Sequence, residues 1–102
     1  MYYVYILQSR QDGKLYIGYT ADLRSRFREH NQGLSQATRH RQPFDLVYYE
    51  AFKAKKDAVV RERMIKQYKQ GYTNLKKRIS ASLEPRKWGE ESPDTILNQE
   101  SR

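Results

Sequence analysis

Residues 2–19 decide the fold: Tyr2-Tyr3-Val4-Tyr5-Ile6-Leu7, then the polar run Gln8-Ser9-Arg10-Gln11-Asp12-Gly13, then Lys14-Leu15-Tyr16-Ile17-Gly18-Tyr19. The first and last of these segments are rich in aromatic and β-branched residues, the composition of strands. Asp-Gly is a strong turn signal, so the two strands close into a hairpin. Working outward, Thr20 and Asp22 are both candidate helix N-caps, and Leu23 and Phe27 recur at i, i+4. That helix is expected to run to about Asn31 and stop near Gly33. A polar, basic stretch from Leu34 to Gln42 follows, closed by Pro43, and Phe44–Phe52 reads as a third strand. A second helix is expected over Lys56–Gln70 with Gly71 as its stop, and Thr73 as the cap of a short third helix, Asn74–Ile79. The expectation is an α+β fold in ββαβαα order, a three-stranded antiparallel sheet flanked by helices.

Charge divides the chain in two. Residues 1–80 carry 17 basic and 7 acidic side chains, whereas residues 81–102 carry 3 basic and 5 acidic. Twelve of the 13 aromatic side chains also precede residue 73, nine of them tyrosines. We therefore expect a folded domain over residues 1–82. Residues 83–102 are expected to form an acidic, disordered tail, too poor in apolar groups to offset its ordering entropy. A basic, tyrosine-rich domain suggests a polyanion partner, because lysine and arginine neutralise phosphates and bases stack on rings. No apolar run approaches the roughly 20 residues that span a bilayer, so no membrane partner is expected. The apolar N-terminus reads as a strand and not as a leader. The absence of cysteine excludes a disulfide framework and fits a reducing, cytoplasmic setting.

Four positions carry candidate chemistry. Period-2 alternation puts Tyr5 and Tyr16 on one face of the hairpin, where a phenol could orient a water or a phosphate oxygen. Gly18 bares backbone beside Tyr16, as a closely approaching ligand would need. A core-filling aromatic pair is the plainer account of either tyrosine alone. Arg26 and His30 lie one helical turn apart at the border of the Leu23/Phe27 stripe. Arg26 is placed to hold a phosphate or to snorkel over apolar surface, and His30 to orient a partner by hydrogen bonding. Glu62 falls within the apolar face of Ala58, Val59 and Ile65. A carboxylate there needs either an ion pair, with Arg26 or another cation, or a divalent metal completed by water and substrate phosphate.

Together these residues resemble the GIY-YIG nuclease superfamily, especially its small stand-alone bacterial members of unassigned role. Tyr16-Ile17-Gly18 matches the second half of the name motif, and Tyr3-Val4-Tyr5 stands where the first half falls, eleven residues earlier from tyrosine to tyrosine. Arg26 lies ten residues after Tyr16, where the family has its helix arginine, and Ala58–Lys66 looks like its glutamate helix. Tyr3 and Val4 depart from the glycine and isoleucine of the first motif. The resemblance implies metal-dependent hydrolysis of DNA phosphodiesters, structure-selective and serving repair or recombination. Tyr16 would be the base or water-orienting phenol, Tyr5 its helper, Arg26 the phosphate clamp and His30 an auxiliary. Glu62 would hold Mg²⁺ or Mn²⁺. Arg39, Arg41, Lys53, Lys55 and Lys56 would grip the DNA backbone. Family nucleases often carry a separate recognition domain. With none legible after residue 82, selectivity is expected from the small domain, from DNA shape or from a protein partner. A non-catalytic nucleic-acid-binding module on the same fold is the alternative.

Overall fold

The computed structural model describes residues 1–83, and the tyrosine-rich opening is its central strand. β1 (Tyr2–Ser9) lies between β2 (Leu15–Thr20) and β3 (Phe44–Phe52), antiparallel to both. Four elements complete the order: α1 (Leu23–Asn31), between β2 and β3, then α2 (Lys55–Gln67), α3 (Lys69–Arg78) and a 3₁₀ turn at Ser80–Ser82. The expected α+β class and ββαβαα order are therefore observed. The tail expected over residues 83–102 lies, but for Leu83, outside the described residues.

β1 reads as almost continuous apolar sequence because helices cover both of its faces. Val4 and Ile6 point to one side, into a cluster with Ile17, Ala58, Ile65, Leu75 and Ile79 from β2, α2 and α3. Tyr5 and Leu7 point to the other, with Phe44 and the α1 residues Leu23 and Phe27 around them. Each fully buried aliphatic side chain stabilises the fold by roughly 1.5–3 kcal/mol relative to exposure. Across the β1–β3 seam a register shift between Ile6 and Leu7 leaves Val47 as the extra residue, a bulge that re-aims β3.

The helix signals were partly readable. Asp22, not Thr20, caps α1: its Oδ1 accepts from Ser25 N at 3.1 Å, while Thr20 Oγ1 accepts from Asp22 N. Gly33 follows the helix at φ +74°, a conformation that favours glycine. Gly71 needs no such φ, and a Cβ there would meet only the Met64 carbonyl at 3.6 Å. It is not a stop. The chain breaks earlier, at Tyr68, whose φ/ψ of −108°/109° is extended. α3 then runs through Gly71 and Thr73, so Thr73 caps nothing. One extended residue turns the chain so that Leu75 and Ile79 reach the same cluster as Ile65. An ion network fixes α2 to the sheet: Arg61 donates to both carboxylate oxygens of Glu50 on β3 at 2.9–3.1 Å, and the Tyr48 hydroxyl donates to Glu50 at 2.6 Å.

Candidate active site

Strand pairing sets the first part of the site. Tyr5 lies opposite Gly18, and Leu7 opposite Tyr16, so both tyrosines share the sheet face that α1 covers. The Tyr5 ring folds across β2: a Cβ on Gly18 would stand 2.5 Å from the Tyr5 hydroxyl. The open backbone at Gly18 therefore accommodates a neighbouring side chain, where the sequence suggested a ligand. Tyr5 is 1% exposed and has no space to retreat. Gly18→Ala is expected to destabilise the domain by about 1–3 kcal/mol through overpacking, read as a lowered urea midpoint. An unchanged midpoint would show that the ring moves freely.

Tyr5 is held from behind. Its hydroxyl lies 2.9 Å from His30 Nε2, and His30 Nδ1 lies 2.7 Å from Thr38 Oγ1. His30 and Thr38 are completely buried. Burial, aided by the Arg26 charge and opposed by Glu29, lowers the His30 pKa to about 4, so the imidazole is neutral at pH 7. Burial also pushes the Tyr5 phenol up to about 12, against the opposing pull of a hydrogen bond from Arg26. With the neutral imidazole offering Nε2 as the acceptor, we assign Tyr5 O–H as donor to Nε2 and Nδ1–H as donor to Thr38 Oγ1. Tyr5 thus stays protonated at neutral pH, as a fixed dipole and not a base. His30 lies deeper than the border position its spacing suggested and acts through Tyr5. Thr38 was not anticipated, since nothing local marks a loop threonine as the partner of a histidine eight residues away.

The charged groups come from two helices. Arg26, half-buried on α1, donates from Nη1 to Glu29 Oε1 at 2.8 Å. Glu62, with 19% of its side chain exposed on α2, takes Lys66 Nζ at 3.1 Å. The Glu62–Arg26 ion pair considered from sequence is not what forms. Both observed pairs have helical spacing (i,i+3 and i,i+4), so Glu29 and Lys66 were legible as neighbours. Lys66 Nζ also sits 6.0 Å from the centroid of the Tyr16 ring. Because β2 is an edge strand, α2 on the opposite layer reaches round it to the tyrosine face. The Glu62 carboxylate adds to the upward push on the Tyr5 phenol, and the Arg26 charge opposes it. Tyr5, Tyr16 and the Glu62–Lys66 pair, from β1, β2 and α2, therefore lie along one edge of the sheet, on the face that α1 covers.

No group of three or more His, Cys, Asp and Glu side chains that could hold a metal occurs among the described residues. A single part-buried carboxylate nevertheless suits Mg²⁺, which keeps several waters and takes one or two carboxylates plus substrate phosphates. Lys66, 47% exposed, is a weak competitor, since an exposed i,i+4 pair is worth only about 0.3–0.5 kcal/mol.

The basic residues expected to grip DNA do not form one patch. Arg39 and Arg41 lie in the loop before β3, near the Ser9 end of β1, whereas Lys53, Lys55 and Lys56 follow Phe52, which pairs with Tyr2. The length of β1, roughly 23 Å, separates the two groups. Arg41 is already engaged: it pairs with Asp12 at 3.1 Å and lies over the Phe44 ring at 5.8 Å. Arg39, Lys53, Lys55 and Lys56 are exposed, with no acidic partner among the described residues.

Residues 1–77 match the family model described as the GIY-YIG catalytic domain. A UPF0213 protein of Haloquadratum walsbyi is 46% identical over 68 residues, covering 66% of this chain and 75% of that protein. A UPF0213 protein of Streptococcus pneumoniae is 43% identical over 68 residues, covering 66% and 68% respectively. The solution NMR structure of a UPF0213 protein from Bacillus halodurans is similar at 36% identity and a TM-score of 0.49, covering 76% of this chain and 85% of that one. Among the described residues, no helix is long and apolar enough to cross a membrane.

Proposed function

The chain belongs to the GIY-YIG catalytic-domain family, and from that premise we propose that it is an endonuclease hydrolysing DNA phosphodiester bonds with one divalent metal. The observation that carries this reading is that Tyr5 and Tyr16 lie 6.5 Å apart on the face covered by α1, the helix that bears Arg26, while Lys66 of the Glu62–Lys66 pair on α2 reaches the Tyr16 ring. A phosphodiester needs a positioned water, a positive clamp and charge relief at the leaving oxygen. Tyr16, half-buried beside Lys66, is the phenol open to substrate and orients the attacking water. Tyr5, locked on His30, positions the phosphate through its hydroxyl dipole. Arg26 turns from Glu29 to a non-bridging phosphate oxygen, exchanging one charge-assisted hydrogen bond for another. Glu62 is the protein ligand for Mg²⁺ or Mn²⁺, which when bound offsets negative charge on the leaving oxygen.

The exposed cations at the two ends of the sheet suit backbone contacts that carry no sequence information. Selectivity is then for DNA structure, as repair or recombination would require, or comes from a protein partner. The test is incubation with branched, nicked and linear DNA in Mg²⁺, Mn²⁺ or chelator. Products are expected with either metal and none with chelator. A protein that shifts DNA in a gel yet cuts nothing under any metal would instead be a binding module. The in-chain pairing of both Arg26 and Glu62 is the observation that favours that second reading.

A further inference from the structure

A second concavity lies across α1 from the Tyr16–Glu62 edge, and none of the four residues given catalytic roles lines it. It is a groove of about 470 Å³ whose lining includes Tyr3, Leu23, Arg24, Phe27, Leu46 and Tyr49. We propose that this groove takes an unpaired nucleobase stacked on Tyr49, so that the substrate class is DNA with single-stranded nucleotides beside the scissile bond. The inference rests on the endonuclease reading in one respect, that the same DNA strand occupies both places.

Tyr49 is 53% exposed, and its hydroxyl makes no hydrogen bond among the described residues. Its ring is not loose. Tyr3 packs against it in a T-shaped pair, with centroids 5.9 Å apart at 65°, while about half of the Tyr49 side chain stays exposed at the groove. Such a platform suits any base, since every base has a π-face. Bases in an intact duplex are already stacked and cannot present theirs, so the ligand must be unpaired.

Charge complementarity selects a nucleotide over an apolar peptide. Arg24 is exposed on the rim with no acidic partner among the described residues. The free cations Lys53, Lys55 and Lys56 lie at the same end of the sheet, beyond the Tyr2–Phe52 pair. Asp22 also lines the groove, but its carboxylate is committed to the α1 cap. The distance fits as well. Gly18, Tyr5 and Tyr49 form one row across the sheet, which puts Tyr49 about 10 Å from Gly18, a few nucleotides along a strand. Arg24 and Arg26 sit two positions apart on α1, so a backbone crossing the first turn of the helix would pass between them.

The test compares a flap-bearing duplex, with 2-aminopurine in the flap, against a blunt duplex of the same length, by anisotropy in chelator so that nothing is cut. Tyr49→Thr puts a β-branched residue that suits a strand at this edge position, and Tyr49→Phe keeps the ring. The wild type and Tyr49→Phe are expected to prefer the flap and to perturb 2-aminopurine fluorescence. Tyr49→Thr should lose about 10- to 100-fold in flap affinity, with less than about twofold change on the blunt duplex. Equal losses on both DNAs, or no loss on the flap, would overturn the groove. A protein that cuts nothing with metal but shows the Tyr49 effect keeps this inference and removes the endonuclease. One that cuts normally with Tyr49→Thr bound like the wild type does the reverse.

Discussion

Replacing Glu62 with Gln should lower the DNA cleavage rate by about a thousandfold or more, equivalent to some 4 kcal/mol of transition-state stabilisation. The substitution preserves shape and removes only the charge that a divalent ion would need. Folding should hardly notice. α2 is anchored by Ala58 and Ile65 in the core and by the Arg61–Glu50 pair, while the lost partnership with Lys66 is largely solvent-screened. An unfolding free energy from urea titration within about 0.5 kcal/mol of wild type is therefore expected alongside the lost activity. DNA affinity in chelator should hold or rise, because a negative charge has been taken from the site. Wild-type cleavage by Glu62→Gln would remove the metal-ligand role and with it the mechanism proposed here.

His30→Ala should be the most destabilising single change near the site, at about 3–5 kcal/mol against a total of roughly 5–15 for a domain of this kind. It opens a cavity between the rings of Tyr5, Tyr16 and Phe44, whose centroids lie 5.8, 5.0 and 6.1 Å from that of the imidazole. It also strands the Tyr5 hydroxyl and Thr38 without their partner. The same residue predicts acid lability. Its pKa is about 4 in the fold and 6.5 for a free histidine, so the unfolded chain binds the extra proton between those values. Stability is then complete above about pH 6.5 and falls towards pH 4, by about 3 kcal/mol in all. Asp12 and Glu50, whose carboxyls are held below their ordinary range despite burial, add losses at the acid end of that window. The His30 share is the difference between wild type and His30→Gln in urea midpoints from pH 7 to 4. A pH dependence identical in both proteins would place the acid sensitivity elsewhere.

Several readings made through neighbours a turn or a strand apart agree with the structure. The hairpin around Asp12-Gly13, the cap at Asp22, the stop by Gly33 and the shared face of Tyr5 and Tyr16 all rest on local chemistry. The misreadings have two different causes. Gly71 and Thr73 look like punctuation, but the break at Tyr68 is set by the need of Leu75 and Ile79 to reach the core beside Ile65. The partners of Arg26 and Glu62 were within reach, at three and four residues along their own helices. Packing outweighed propensity in the first case, and ordinary helix geometry was overlooked in the second.

Order and spacing along the chain were thus enough to name the layers, the family and the four chemical groups, because each depends on interactions a few bonds or one helical turn away. Which atoms meet was decided only when distant segments packed: Gly18 yielding its space to Tyr5, Thr38 reaching His30, Lys66 rounding the β2 edge to Tyr16, and the cations dividing between opposite ends of the sheet. Those placements follow from strand register and from the close packing of side chains, which exclude overlap in three dimensions and leave little trace in one.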